Sequence, residues 1–205
     1  MIKNIIFDIG NVIVQWQPAT VVKRLFPEHD TVKLTEALFK STPWYDLNLG
    51  KITESEITQI YHQTLGINIE TLNRLMQEIK ESLLPVDNNF ILLTNLYSQY
   101  TLYALTDNVR EIMSYLKKKY DFWSKFKGII VSAEVGYLKP DPAIYQELIN
   151  QYEIDPAESV FIDDHLPNVQ GAKSMNMHAI QFANVEQCIH ELKKIGVKIT
   201  NRMGI

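Results

Sequence analysis

Cysteine is almost absent: Cys188 stands alone in 205 residues, so no disulfide can form within the chain. A single thiol suits a reducing compartment, and a cytoplasmic location is expected. Long apolar runs are missing too. No segment approaches the roughly 18 consecutive apolar residues of a membrane span. The first apolar run is broken by Asp8 and followed by no small-residue cleavage site, so neither a secretory leader nor a membrane partner is expected. Positive charge is not in excess, since 20 Lys and Arg face 24 Asp and Glu for a formal net charge of −4. The cluster Lys117, Lys118, Lys119 reads as the solvated end of a helix, and nucleic acid is not an expected partner. No internal repeat or low-complexity segment occurs.

What the chain does have is 46% hydrophobic residues, enough to bury a full core in one domain with a modest insertion. Strand-like runs fall at Asn4 to Ile9, Thr101 to Thr106, Gly128 to Ser132, Ser159 to Asp163 and His178 to Phe182. From the second run onward helical periods fill the gaps: Val109, Ile112, Met113 and Leu116 after Asn108 as N-cap, then Ile144, Tyr145, Leu148 and Ile149 after Pro140-Asp141-Pro142. This alternation predicts an α/β fold with a parallel sheet covered on both faces. Between the first and second strands only helical stripes appear. Thr53 to Glu56 has the form of a capping box ahead of Ile57, Ile60, Tyr61 and Leu65, and Leu72, Leu75, Met76, Ile79 and Leu83 follow. Pro85 and Asp87 then begin a helix through Phe90, Leu93, Leu96 and Tyr97. The expected organisation is a core of residues 1–14 and 85–205 with a helical cap of residues 15–84. The chain is expected to be a monomer or weak homodimer.

Four points fall just beyond these strands: Asp8, Thr106, Lys139 and the pair Asp163-Asp164. A parallel sheet brings them to its carboxyl edge, where open α/β sheets bind ligands. A carboxylate there can attack phosphorus only if the charge of the incoming phosphate is compensated. Lys139 could neutralise Asp8 and a phosphoryl oxygen, and the Thr106 hydroxyl and the following amide could donate to another. The adjacent acids would repel each other unless a cation sat between them and Asp8. Magnesium is the expected cofactor, because it takes hard oxygen ligands and commonly uses one or two carboxylates with a substrate phosphate.

The ordered set resembles the haloacid-dehalogenase-like superfamily of phosphatases. The motifs are Phe7-Asp8-Ile9-Gly10-Asn11-Val12, then Leu105-Thr106, then Gly136-Tyr137-Leu138-Lys139-Pro140-Asp141-Pro142, and finally Val160-Phe161-Ile162-Asp163-Asp164 with Asn168 to Ala172 following. They span Ile5 to about Phe182. The resemblance implies a Rossmann-like core with a helical cap, acting on a small phosphorylated metabolite through an aspartyl-phosphate. It makes Asp8 the nucleophile; Asp8, the Gly10 carbonyl and Asp164 magnesium ligands; Asp163 a further or water-mediated ligand; and Asn168 a support for the metal site. Thr106, Asp107 and Lys139 fall at the substrate-binding positions.

Two positions depart from that pattern. Most phosphatases of the superfamily carry a second aspartate two residues after the nucleophile, which protonates the leaving group, and this chain has Gly10. The carbonyl ligand survives, while general acid-base help, often worth roughly a hundredfold, is lost. The Asp-x-Gly-Asn-Val form also resembles a sugar-phosphate (glucose-1-phosphate) phosphatase branch. Asp107 stands where related sequences have Asn or Ser; it is given no catalytic role and is expected to turn away and cap the helix beginning near Val109.

Gly10 also leaves room for two other readings. One is a metal-independent 2-haloacid dehalogenase, to which the spacing of Lys139 and Tyr145 is similar and against which the pair Asp163-Asp164 argues by repulsion of a carboxylate substrate. The other is a non-catalytic member of the fold that binds phosphate ligands. Trp16, Trp44 and Tyr45 are read as pocket or hinge aromatics, His165 as solvated or a proton carrier, Gly50 as a turn residue, and Cys188 as a buried inert thiol.

Overall fold

Five short apolar segments lie side by side as parallel strands in the order β3-β2-β1-β4-β5. They are β1 (Asn4–Phe7), β2 (Thr101–Thr106), β3 (Phe126–Val131), β4 (Ser159–Asp163) and β5 (His178–Gln181). The computed structural model describes residues 1–86 and 89–199, so Asp87 lies outside the described residues. Ile5, Ile6 and Phe7 are all buried, as a strand covered on both faces requires. Alternate residues serve opposite faces: Ile5, Phe7, Leu102 and Ala104 join one core, and Ile6, Tyr103, Leu105 and Phe161 the other. The third strand begins two residues before the expected Gly128. Leu102 pairs with Phe126 and Tyr103 with Gly128, so Lys127 is bulged out of register.

Helices connect the strands. After β1 come α1 (Pro18–Leu25), α2 (Thr31–Phe39), α3 (Thr42–Asn48), α4 (Glu54–Leu65) and α5 (Ile69–Glu81), and α6 (Asn89–Tyr97) leads back to β2. Beyond β2 lie α7 (Arg110–Lys119), α8 (Ser132–Val135), α9 (Pro142–Tyr152), α10 (Leu166–Ser174) and α11 (Val185–Lys194). The helices of the insertion start where side chains satisfy their first amides: Asp30 accepts from Lys33, Ser41 from Trp44, and Asn68 from Glu70. Thr53 and Glu56 form the expected reciprocal capping box. Their apolar stripes, including Val22, Leu38, Ile57, Leu75 and Ile79, join the core on one face of the sheet. The insertion thus shares a core with the sheet. Its entry and exit strands run side by side, the Gln15 amide donating to the Leu84 carbonyl at 2.7 Å and the Val86 amide to that of Ile13 at 2.9 Å.

One expected cap is not formed. Val109 occupies the N-cap of α7 without a side-chain bond, and Asn108 instead accepts from the amide of Val109. The Asn108 amide donates to Ser132 Oγ at 2.9 Å, so the loop after β2 is tied to α8. Cys188 is fully buried in α11, and burial pushes its thiol up to about 12. Among the described residues no helix is long and apolar enough to cross a membrane.

Candidate active site

β1 lies between β2 and β4, so the residues that follow these three strands meet at one edge. The chain runs outward from β1 through β2 to β3 and returns to its other side for β4 and β5. That reversal opens a crevice at the carboxyl ends of β1 and β4. Asp8 follows β1 directly and Asp163 ends β4; the Asp8 amide donates to the Ile162 carbonyl at 2.9 Å. The two acids are therefore held side by side by backbone pairing.

Lys139 enters from the loop between α8 and α9. Its Nζ is 2.9 Å from Asp8 Oδ1 and 2.7 Å from Asp163 Oδ2, with only 1% of the side chain exposed. The same ammonium donates to the Leu105 carbonyl at 3.3 Å. Asp107 holds the loop from the other side, Oδ1 accepting from the Lys139 amide at 3.0 Å. Asp107 does not cap α7 as expected. Its carboxylate is committed to a backbone amide 32 residues away, a partner that local sequence does not reveal.

The electrostatics follow from this crowding. Burial pushes the Asp8 carboxyl up to about 7; the Lys139 ammonium opposes the shift, while the charge of Asp163 reinforces it. Burial would lower the pKa of Lys139, yet the carboxylates of Asp8, Asp163 and Asp107 more than reverse that and raise it. Asp107 is raised as well, chiefly by burial. The centre holds one lysine among several acids and is short of positive charge.

Asp163 and Asp164 have different surroundings. Asp163 is completely buried, and its oxygens accept from Lys139 Nζ, from the His165 amide at 2.8 Å and from Asn168 Nδ2 at 3.1 Å. Asp164 is half-buried and reaches the cavity, with Oδ2 accepting from Asn11 Nδ2 at 3.0 Å. Carboxylate oxygens of Asp8, Asp163 and Asp164 lie within 4.8 Å of one another. Such a hard-oxygen set suits magnesium or calcium in preference to a soft metal. The buried Oδ1 of Asn168 has no hydrogen-bond donor among the described residues.

Above the acids opens a cavity of about 350 Å³. Asp8, Gly10, Asp107, Lys139, Asp164 and His165 line its inner end, and Trp16, Phe39, Trp44, Tyr45 and Asn48 line the side formed by the insertion. Trp16 and Trp44 stack with ring centroids 5.9 Å apart, and Phe39 meets both edge-on at 5.8 and 4.9 Å. Trp16, Trp44 and Tyr45, read as pocket or hinge aromatics, line the cavity, and the two tryptophans also pack on each other. Thr106 ends β2 fully buried, and among the described residues the cavity wall at that corner is Asp107 and Asn108. Tyr145 is buried under the sheet, its hydroxyl donating to the Asn168 carbonyl at 2.8 Å and its ring edge-on to Phe161. Lys139 and Tyr145 are therefore not brought together at the cavity. Asn11 belongs to the first motif, which assigns it no role. It links the first loop to Asp164, accepts from the Trp16 amide at 2.9 Å and adopts φ of 53°, a left-handed turn conformation that Asn tolerates.

An α/β core, a helical insertion after β1 and an acid-lysine-acid centre at the switch point define a hydrolase of the kind that the sequence motifs suggested. The chain matches the haloacid dehalogenase-like hydrolase family over residues 5–182 and belongs to it. Relatives include a sesquiterpene phosphatase of Aspergillus oryzae, 26% identical over 94% of this chain and 96% of that one. A D-ribitol-5-phosphate phosphatase of Bacteroides thetaiotaomicron is 25% identical over 95% of this chain and 98% of its own. A family enzyme of the same bacterium, solved with magnesium and inorganic phosphate, superposes with a TM-score of 0.76 at 20% identity, covering 93% of this chain and 99% of that one. Several other relatives are longer proteins, of which the chain spans only 19 to 37%.

Proposed function

We propose that the protein is a magnesium-dependent phosphatase of a small phosphorylated metabolite, with Asp8 as nucleophile. The observation that carries this is the placement of Asp8: among the described residues, the hydrogen bonds from the Ile9 amide at 2.7 Å and from Lys139 at 2.9 Å both fall on Oδ1. Oδ2 remains to attack phosphorus. Lys139 neutralises the nucleophile and a phosphoryl oxygen, and Asp107 keeps that lysine in place through its amide. The loop that follows Thr106 completes the phosphate seat, with Asp107 and Asn108 at the cavity wall. Water then cleaves the aspartyl-phosphate, releasing phosphate and restoring the carboxylate.

Magnesium fits the residues present. Asp8, Asp164 and the Gly10 carbonyl would hold it, with Asp163 beside them and steadied by Asn168 Nδ2. When bound, the ion supplies the positive charge that the single lysine cannot, for the phosphate and for the transition state. The phosphatase relatives support the same reading, and the sugar-phosphate relative places polyol and sugar phosphates on the list to be tried. Residues 15–84 are the cap that excludes water from the intermediate, since aromatics from this stretch form the outer wall of the cavity.

A panel of phosphorylated metabolites assayed for phosphate release tests this, with Asp8→Asn as control. Release in magnesium by the parent, and background release by a folded Asp8→Asn, is the expected result. Activity of that variant within a few fold of the parent removes Asp8 from the nucleophile role.

A further inference from the structure

The outer wall of the cavity has an unusual chemistry for a site that would take a polyol. Val14, Trp16, Phe39, Trp44, Ile112 and Leu138 line it. Tyr45, Asn48 and Asn108 lie beside this surface, and one polar group of each asparagine is already engaged. Asn48 Nδ2 donates to the Trp44 carbonyl at 2.9 Å, and Asn108 Oδ1 accepts from the Val109 amide at 2.9 Å. Hydroxyls buried against the stacked indoles would lose water without gaining partners there. An aromatic ring would lose nothing and could pack on the stacked Trp16 and Trp44.

A second observation comes from the opposite end of the cavity. Gly10 faces it two residues after Asp8, where a side chain could reach a leaving group, and glycine offers no proton. The vacancy is not forced by packing. A Cβ built on Gly10 would meet only Trp16 Cβ, at an ordinary 3.8 Å. Among the other lining groups, Lys139 is clamped between Asp8 and Asp163, its ammonium committed to both carboxylates. A site without an acid two residues after the nucleophile favours an ester whose oxygen leaves unprotonated. Phenols, with pKa of roughly 10 as in tyrosine, leave this way far more readily than alkyl alcohols, whose acidity is nearer that of water, about 15.7.

We propose that the substrate is a monophosphate ester of a phenol, an aryl phosphate of one or two rings, held by the Trp16-Trp44 wall. This rests on the phosphatase reading and narrows it. In the step concerned, Asp8 Oδ2 bonds to phosphorus as the bond from phosphorus to the aryl oxygen breaks. The electron pair departs on the phenolate, which takes a proton from solvent. Water then cleaves the aspartyl-phosphate to inorganic phosphate and the Asp8 carboxylate, returning a proton to solvent.

The test compares kcat/KM in magnesium for a series of substituted phenyl phosphates, glycerol 3-phosphate and ribitol 5-phosphate, in the parent and in Gly10→Asp. Phenyl phosphate should exceed ribitol 5-phosphate by about 100-fold or more in the parent, with a steep dependence on leaving-group pKa. Gly10→Asp should flatten that dependence and raise the alkyl esters most. In parallel, tryptophan fluorescence of Asp8→Asn measures binding without turnover, and phenyl phosphate should bind roughly tenfold more tightly than ribitol 5-phosphate. Equal or better turnover, or equal or tighter binding, of ribitol 5-phosphate overturns the proposal. If no ester turns over, the phosphatase reading fails, and the binding comparison still decides which class of ligand the wall accepts.

Discussion

A single ammonium, that of Lys139, lies between the carboxylates of Asp8 and Asp163 at 2.9 and 2.7 Å. Removing one acid from this buried group is a question of folding as much as of catalysis. Asp163→Asn removes one of the two carboxylates paired directly with Lys139 and disturbs bonds to Asn168 and the His165 amide. It should destabilise the protein by about 3 kcal/mol, the lower end of what losing one partner of a buried pair costs. Asp164→Asn alters a half-buried side chain at the cavity, so it should leave the urea midpoint nearly unchanged while phosphate release falls to background. Denaturation and turnover measured on both variants separate the two roles; an unfolded Asp164→Asn beside a stable Asp163→Asn would reverse the assignment. Asp8, Lys139 and the acidic pair were legible in sequence because each follows a strand or precedes a proline-marked helix start. The work of Asp107 was not, since its partner is a backbone amide in a loop 32 residues later.

At the scale of elements, the turn between α3 and α4 ties the insertion to α7 and α8. Arg110 donates to the Gly50 carbonyl at 2.9 Å, and Ser132 Oγ donates to that of Asn48 at 2.7 Å. Gly50 has φ of 68°, and a Cβ there would lie 2.1 Å from the Ala133 carbonyl oxygen. Gly66 has nearly the same φ, 69°, with nothing within 4 Å. The pair makes an internal control. Both Gly→Ala changes carry the left-handed backbone penalty of about 1 kcal/mol, and only Gly50→Ala adds overpacking of roughly 1–3 kcal/mol. Gly50→Ala should therefore melt lower than Gly66→Ala and lose phosphate release, while Gly66→Ala keeps it. Equal effects of the two would mean that the turn does not seat the cap. The helical stripes of the insertion were readable because their period and caps are local. Its seat on α8 was not, because it runs through backbone carbonyls that carry no sequence signature.

The whole molecule couples folding to the charge of its centre. The Asp8 carboxyl is raised to about 7 from an ordinary 3.8, so its contribution to stability is complete below about pH 4 and is lost as pH rises through 7. Without metal, stability should decline across that window. Magnesium competes with the proton for the same oxygens, so it should raise the melting temperature more at pH 8 than at pH 5; equal shifts at both would contradict magnesium binding at Asp8. The order of strands and their helices was legible because parallel strands buried on both faces read as apolar runs, and Asp8, Lys139 and Asp163 came together because β1 lies beside β4. The aromatic wall could only be suspected, since Phe39, Trp44 and Trp16 meet through tertiary packing. The most direct test of the central claim measures phosphate release from an aryl phosphate and halide release from a 2-haloacid, with magnesium, with chelator, and with magnesium restored. The account predicts phosphate release that chelator abolishes and magnesium restores, with no halide under any condition. Halide release that ignores chelator, with no phosphate release in magnesium, would contradict it.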